Sequence, residues 1–556
     1  MKNNTLLWIV KQIRSLFPGL VALTLAQVGH ALFSVYFALG SRGVIDSAVS
    51  GDSEAFSVAC LVQAGIIAGI LICLTLVRHL RDRLRADLER DWKQRILHGL
   101  LHGEYAAVSG YHSAELLNRM NNDVAKVNDG ILSVVPNAAA MVTRLVAAVL
   151  VLRTMDARFT MIIVMLGGVV ILATGLMRRQ LKDLNKQVSH HDGKVSGFLQ
   201  ETMEKLLMVQ AMDVSQEVEN RANGLLDARY NLQRQRKNVS LVTNTGISLM
   251  SYGAGFLALC WCANSLLLGQ MSFGSLTAVV QLVSQLQTPF VNLSGTMPQY
   301  IAMVASAERL MELDEIQGEP ALKNEISGMP DGALECIRAD KLSFSYDRDQ
   351  VLRDADFMLL KGSFVAVTGP SGIGKSTILK LLLGIFCPES GDLYAQCGGR
   401  KVPLDRSTRN LFAYVPQGNL LMSGTIRENL TLVKPDATQE EILQAITVSA
   451  MDEFLPELPQ GMDTVLGESG AGLSEGQVQR LAIARAILGG APVLLLDECT
   501  SALDEKTEQR VLQQIHDLHD RTCVVVTHRP AALRLCDWQM EVSDGRIRMV
   551  SVLNRS

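Results

Sequence analysis

The sequence predicts a multidomain chain of two classes in series. An α-helical membrane domain of six spanning helices with long cytoplasmic extensions comes first, and an α/β domain follows. Three observations carry this. Long apolar stretches, nearly free of charge, fill the N-terminal part and end near residue 307. Two loops between them are long and rich in Lys and Arg. Beyond residue 336, short apolar runs alternate with helical patterns.

The composition agrees. Of 556 residues, 48% are hydrophobic and 19% charged, against roughly 25% charged in an ordinary soluble chain. The mean hydropathy is +0.19. These values exclude a disordered, collagen-like or small disulfide-stapled protein. A net charge of −4 gives no basic footprint for nucleic acid. The cysteines, at 60, 73, 260, 262, 336, 387, 397, 499, 523 and 536, form no CxxC pair or zinc-type quartet. They read as free thiols in a reducing compartment. No signal peptide is read at the N-terminus.

A spanning helix needs about 20 apolar residues, because each rises about 1.5 Å across about 30 Å of hydrocarbon. Residues 20–40 qualify, with Gln27 and His30 as polar intruders. Residues 55–77 and 159–177 carry no charge, and 131–152 carry only Arg144. From Asn238 to Ala307 there is no Asp, Glu, Lys or Arg. That stretch is too long for one span, and a turn at 269–274 divides it into spans at about 242–268 and 273–300. Loops 78–130 and 178–237 hold nine and eleven Lys/Arg, while 41–54 holds only Arg42. The two basic loops, and both termini with them, are therefore expected on the cytoplasmic side. The short loop 153–158, with Arg153 and Arg158, is a mild exception.

A polar stretch at 313–335 reads as a linker, so the expected division is 1–312, linker, and 336–556. In the last part, Phe364–Thr368, Leu411–Val415, Val493–Leu496 and Cys523–Thr527 look like buried parallel strands. Directly after the first of these stands Gly369-Pro-Ser371-Gly372-Ile-Gly374-Lys375-Ser376-Thr377, which fits GxxxxGK[ST]. Its glycines let backbone N–H groups turn toward phosphate oxygens, and the helix that follows adds its positive end. Lys375 would reach the β/γ-phosphates and Ser376 would hold Mg²⁺. A second element agrees: the apolar run from Val493 ends in Asp497-Glu498. Asp497 would approach Mg²⁺, and Glu498 would take a proton from the attacking water.

With these placed, further motifs resemble those of ATP-binding cassette proteins. Leu473-Ser474-Glu475-Gly476-Gln477 resembles the family signature, Gln417 the Q-loop, Ser501–Asp504 the D-loop and His528 the switch histidine. Tyr346 looks like the aromatic that stacks on adenine, and Thr464–Glu468 like an exporter-specific loop. Six spans fused to one C-terminal cassette is the layout of a half-size exporter, so the resemblance covers the whole chain. It implies that ATP and Mg²⁺ are the cofactors. Gln417 and Asp497 would complete the metal shell begun by Ser376. Glu498 would be the general base, and His528 would contact the γ-phosphate. Ser474 and Gly476 would contact a nucleotide held by the opposite subunit, which requires a second half-transporter. Homodimer and heterodimer both remain open. The signature departs from the usual pattern at Glu475, where Gly is common, which puts the rate of the composite site in doubt.

Two further regions bear on coupling and cargo. Residues 111–124, with Asn122 and Asp123, resemble the family's first coupling segment, and Glu201 with Met208–Arg221 occupies the matching place in the second basic loop. Gln281, Gln285, Thr288 and Asn292 share one face of the last span, as Gln27, His30 and Ser34 do on the first. These faces line a wet cavity or hydrogen-bond between helices. Arg144 snorkels, pairs with a carbonyl or meets an anionic group. Pro136 and Pro289 suggest kinks. The expected function is ATP-driven export of an amphipathic peptide, hydrophobic drug or lipid from a bacterial inner membrane. The alternatives are an ATP-gated channel or regulator, or one half of a heterodimeric exporter.

Overall fold

The computed structural model describes residues 2–316, 334–346, 349–418, 421–467, 470 and 472–552. Most of the linker and Glu468 lie outside this set, as do the side chains of 2–4, 169–182, 247, 288–295, 297 and 531. The chain divides into two compact units. One is Met1–Gly99 with His112–Glu315, and the other is Leu100–Tyr111 with Ile316–Ser556. The short segment Leu100–Tyr111 thus leaves the linear division expected from the sequence and clusters with the α/β unit.

The first unit is helical: α1 (Lys2–Gln12), α2 (Phe17–Ser50), α3 (Ser53–His102), then, past α4 (Tyr105–Ser109) of the other unit, α5 (Ser113–Asn118), α6 (Val124–Met155), α7 (Ala157–Glu204), α8 (Leu206–Ala211), α9 (Ser215–Leu267) and α10 (Phe273–Asp314). Among the described residues, four helical stretches are long and apolar enough to cross a membrane: Arg14–Ser50, Ser53–His102, Ser113–Met155 and Ser215–Leu267. Ala157–Gly168 of α7 is a shorter apolar helix. The apolar parts of α7 and α10 run on into residues whose side chains are outside the described set. At about 1.5 Å per residue, the 50 residues of α3 and the 53 of α9 greatly exceed one bilayer. The polar ends of the helices therefore continue beyond any hydrocarbon layer.

Local chemistry sets the helix ends. Gly51, at φ +74°, closes α2 in the left-handed conformation that glycine adopts without strain. The Asp52 carboxylate then accepts from the N–H groups of Glu54 and Ala55 and opens α3. Asp156 caps α7 through the N–H groups of Arg158 and Phe159, and also accepts from Trp261 Nε1 at 2.9 Å. Asp46 near the end of α2 accepts from Ser272 Oγ and Gly274 N, both at 2.9 Å, and so ties α2 to the start of α10. Between these ends, Val35, Ala38, Leu152, Phe159, Ala258, Leu282 and their neighbours form one apolar core across α2, α6, α7, α9 and α10.

Between α5 and α6 the chain makes one π-turn, Arg119–Asp123. Asp123 is fully buried. It accepts from Arg309 Nε at 2.7 Å, Arg309 Nη2 at 2.5 Å and Ser306 Oγ at 2.9 Å, all from α10. Arg119, also buried, donates to the Arg309 carbonyl at 2.8 Å, Glu312 at 2.9 Å and Glu115 at 2.7 Å. Burial pushes the Asp123 carboxyl up, but the bonds from Arg309 and Ser306 and the charge of Arg309 outweigh it and hold the group below its ordinary value of 3.8. A depressed carboxylate stabilises the fold above its unfolded pKa and loses that contribution as pH falls through the folded value. Asp123 therefore gives no pH dependence near neutrality. Its contribution should fade only in acid below about pH 4, which thermal melts across pH can check in Asp123→Asn against the parent.

The second unit is α/β. Its strands are β1 (Leu334–Tyr346), β2 (Asp349–Leu360), β3 (Phe364–Thr368), β4 (Ser390–Cys397), β5 (Arg400–Pro403), β6 (Phe412–Val415), β7 (Gly424–Thr425), β8 (Val465–Leu466), β9 (Val493–Asp497), β10 (Thr522–Val526), β11 (Trp538–Ser543) and β12 (Arg546–Ser551). Its helices are α4, α11 (Lys375–Leu382), α12 (Ile426–Thr431), α13 (Gln439–Val448), α14 (Glu475–Leu488), α15 (Glu505–His516) and α16 (Pro530–Leu535). One sheet runs β12-β11-β3-β10-β9-β6 and is parallel except for β12. A second, antiparallel, runs β2-β1-β4-β5. Successive residues of a strand point to opposite faces. On β3, Phe364 and Ala366 enter one apolar core while Val365 and Val367 enter another. Burial on both faces explains why the strands read as unbroken apolar runs. Leu411 belongs to the turn before β6, and β10 spans Thr522–Val526, so the expected strand ends shift by one residue. None of the ten cysteines is paired.

Candidate active site

The loop from β3 to α11 is shaped by its glycines. Gly369 has φ +150°, and a Cβ there would stand 2.5 Å from the Val542 carbonyl oxygen. Gly374 has φ +106°, and a Cβ would stand 2.2 Å from Val351 Cγ1. Both the backbone conformation and the space demand glycine. Replacing Gly374 by Ala should cost about 1–3 kcal/mol in loop strain and weaken nucleotide binding at least tenfold, read by equilibrium titration with a fluorescent ATP analogue.

Lys375, the first residue of α11, is buried, and its Nζ donates to the carbonyls of Gly369 and Pro370, both at 2.9 Å. The ammonium is thus folded over the loop that Ser371 and Gly372 leave exposed at its tip. Ser376 Oγ donates to Asp497 Oδ1 at 3.1 Å, and Tyr414 OH donates to Asp497 Oδ2 at 3.3 Å. Asp497 closes β9. Burial above all, with the charge of Glu498 added, pushes its carboxyl up. A cation there would reverse that shift. The Ser376 hydroxyl and the Asp497 carboxylate are adjacent hard oxygen donors of the kind Mg²⁺ takes, so these residues fit the expected ion. Burial, together with the charge of Asp497, likewise raises the Tyr414 phenol.

Glu498 sits at φ +49°, an uncommon backbone conformation for a residue with a side chain. Its carboxylate accepts from Gln417 Nε2 at 2.7 Å. The structure therefore brings Gln417 to Glu498. His528 is exposed and makes no side-chain hydrogen bond among the described residues. Tyr346 is 40% exposed, with its hydroxyl 3.2 Å from Thr377 Oγ1.

The signature residues open α14. Ser474 is its N-cap in a reciprocal capping box with Gln477, whose Oε1 accepts from Ser474 N at 2.8 Å. Glu475 is exposed in the first turn, where the helix dipole favours a carboxylate. A Cβ on Gly476 would meet the Ala502 carbonyl oxygen at 3.1 Å, so the signature helix packs tightly on 501–504.

Sequence reading missed the residues that hold this arrangement. Gln479 donates to Ser501 Oγ at 3.2 Å and accepts from Ala502 N at 3.1 Å. Arg529 donates to the carbonyls of Leu503 (2.8 Å) and Ser501 (2.5 Å) and to buried Glu508 (2.9 Å), which in turn accepts from Thr500.

Comparison with known proteins decides the family. Residues 16–290 match the model of the ABC transporter transmembrane region, and residues 352–501 match the ABC transporter model, well over half of the chain between them. The chain belongs to the ABC transporters. An ABC transporter ATP-binding/permease protein of Haemophilus influenzae is 30% identical over 64% of each chain, just under two thirds of its length. ATP-binding/permease proteins of Bacillus subtilis and Staphylococcus aureus, whose names propose multidrug export, are each 29% identical over 78% of this chain and 75% of their own. The fold is also that of a bacterial Atm1-family ABC exporter solved with ATP bound, with a TM-score of 0.78 at 23% identity over 98% of this chain and 96% of that one. This ABC protein thus carries a transmembrane region followed by an ABC-type ATPase domain, in the order of an exporter half-transporter.

Proposed function

We propose that this chain exports an amphipathic compound across a bacterial inner membrane, powered by ATP bound between two copies of its cassette. The observation that carries the reading is the joining of Ser376, Asp497 and Tyr414 into one cluster at the phosphate loop, with Glu498 and Gln417 beside it. Lys375 supplies a fixed positive charge for the β/γ-phosphates, and the loop N–H groups hold the rest. When bound, Mg²⁺ neutralises phosphate charge. Glu498 orients a water and takes its proton, and Gln417 fixes the Glu498 carboxylate meanwhile. Binding draws two cassettes together, because each chain has one phosphate loop and one signature. Hydrolysis releases them, and the long helices alternate between inward- and outward-facing arrangements.

The positive-charge asymmetry of the loops supports cassette and termini in the cytoplasm. The cargo is a peptide, hydrophobic drug or lipid, and the multidrug export in the names of the Bacillus and Staphylococcus relatives supports the drug among these. In the membrane domain, an apolar cavity of about 290 Å³ is lined by Leu145, Val149, Ile163, Met250, Leu286 and Gln287 among others. Gln287 there is engaged with the Ser251 carbonyl at 2.7 Å, so the cavity offers mainly apolar contact. Of the two polar faces noted in the sequence, Gln27 and Gln281 keep a buried side-chain oxygen without a partner among the described residues. Thr288 and Asn292 lie outside the described side chains.

The test is ATP turnover by the purified protein in lipid nanodiscs, against panels of peptides, lipids and hydrophobic dyes, with Glu498→Gln as control. One or more panel members should raise turnover severalfold. A monomer that neither binds nor hydrolyses ATP would contradict the proposal.

A further inference from the structure

An aromatic array runs through the second unit from Tyr346 to α4. Phe344 and Tyr346, two apart on β1, meet edge to face with centroids 5.0 Å apart. Phe386, which follows α11, closes on both, at 5.4 Å from Phe344 and at 5.3 Å and 90° from Tyr346. Tyr105, the first residue of α4, meets Phe386 edge to face at 6.0 Å. Lys380 of α11 places its Nζ 6.0 Å from the ring centroids of both Tyr105 and Phe386.

By chain order α4 follows directly on α3, the second long helix, so whatever moves Tyr105 pulls on that helix.

Edge-to-face pairs depend on ring orientation. Tyr346 is 40% exposed and held at its hydroxyl by Thr377. A purine stacked on that ring fixes its plane, which fixes Phe386, which in turn sets the surface that Tyr105 meets. A smaller base covers the ring less and fixes it less.

We propose that Tyr105 and Phe386 are a positioning pair through which the nucleotide base sets the grip of the cassette on α4, making coupling to the membrane helices more base-dependent than hydrolysis itself. The proposal rests on the reading of the chain as an ATP-driven transporter with adenine stacked on Tyr346.

The experiment uses the full chain in nanodiscs with a fluorescent hydrophobic dye that stimulates the parent. The readout is the ratio of dye-stimulated to basal turnover, with ATP and with CTP, for the parent, Tyr105→Leu, Tyr105→Phe and Phe386→Leu. In the parent the ratio should be larger with ATP than with CTP. Tyr105→Leu should retain basal ATP turnover, yet lose about fivefold or more of the ratio and no longer distinguish ATP from CTP. Phe386→Leu should lose the ratio similarly, while Tyr105→Phe, which keeps the ring, should keep it. A stimulated parent with an equally stimulated Tyr105→Leu overturns this proposal and leaves the transporter reading standing. Equal loss in Tyr105→Phe and Tyr105→Leu overturns it too, since the ring would then not be what matters. A parent that no dye, peptide or lipid stimulates overturns both.

Discussion

Glu498→Gln should lower ATP turnover by about 10²–10⁴-fold while leaving nucleotide binding nearly unchanged. That range is what a positioned general base contributes. Gln has the same shape as Glu and can adopt the φ of +49° that the position requires no worse than Glu does. The phosphate loop, with Lys375 over the Gly369 and Pro370 carbonyls, is untouched. Only proton acceptance is lost, together with the charge that Gln417 Nε2 meets at 2.7 Å. Turnover within tenfold of the parent would show that another group takes the proton. Single-turnover kinetics with an independent ATP-binding titration separate the two effects.

The second large effect is expected at Asp123. Asp123 is buried, but the Arg309 side chain is 42% exposed and screened by solvent, so the loss falls short of that for a fully buried pair, at about 1–3 kcal/mol. Asp123→Ala would strip both Arg309 and Ser306 of their acceptor. The π-turn Arg119–Asp123 would lose this anchor on α10 and keep the Arg119 bonds. Because α10 is the helix that leads toward the cassette in sequence, the change should act on coupling as well as on stability. Hydrogen exchange should rise first at residues 113–130 and 300–314. Thermal melts in detergent should show the loss, with Asp123→Asn falling less because its oxygen still accepts from Ser306. A melting temperature equal to the parent's would mean that the clamp contributes nothing net.

These two residues also show what the sequence could and could not disclose. Glu498 was legible because its chemistry is local. An apolar strand ending in Asp497-Glu498, a glycine-shaped loop before Lys375 and the Ser474–Gln477 string each state their role within a few residues. The alternating apolar helices and strands announced the two-class fold for the same reason. Asp123 was legible only as part of the segment that resembles a coupling region, with nothing to say which residues it meets. Its partners Ser306 and Arg309 lie more than 180 residues away, and no spacing rule joins them. Gln479 with Ser501, Arg529 with Glu508, and Tyr105 with Phe386 are of the same kind. Each is a tertiary pairing between elements, and in sequence each member passes for an ordinary surface residue. Leu100–Tyr111 clusters with the cassette unit, and within the segment that resembles the coupling region Arg119 and Asp123 build a clamp to α10.

The most direct measurement of whether ATP turnover moves cargo uses inside-out membrane vesicles and a panel of fluorescent amphipathic dyes, comparing the parent chain with Glu498→Gln. With ATP, the parent should accumulate at least one dye above its equilibrium level, and Glu498→Gln should not. If ATP merely speeds equilibration, equally in both proteins, the chain opens a passage and does not pump, and the account is wrong.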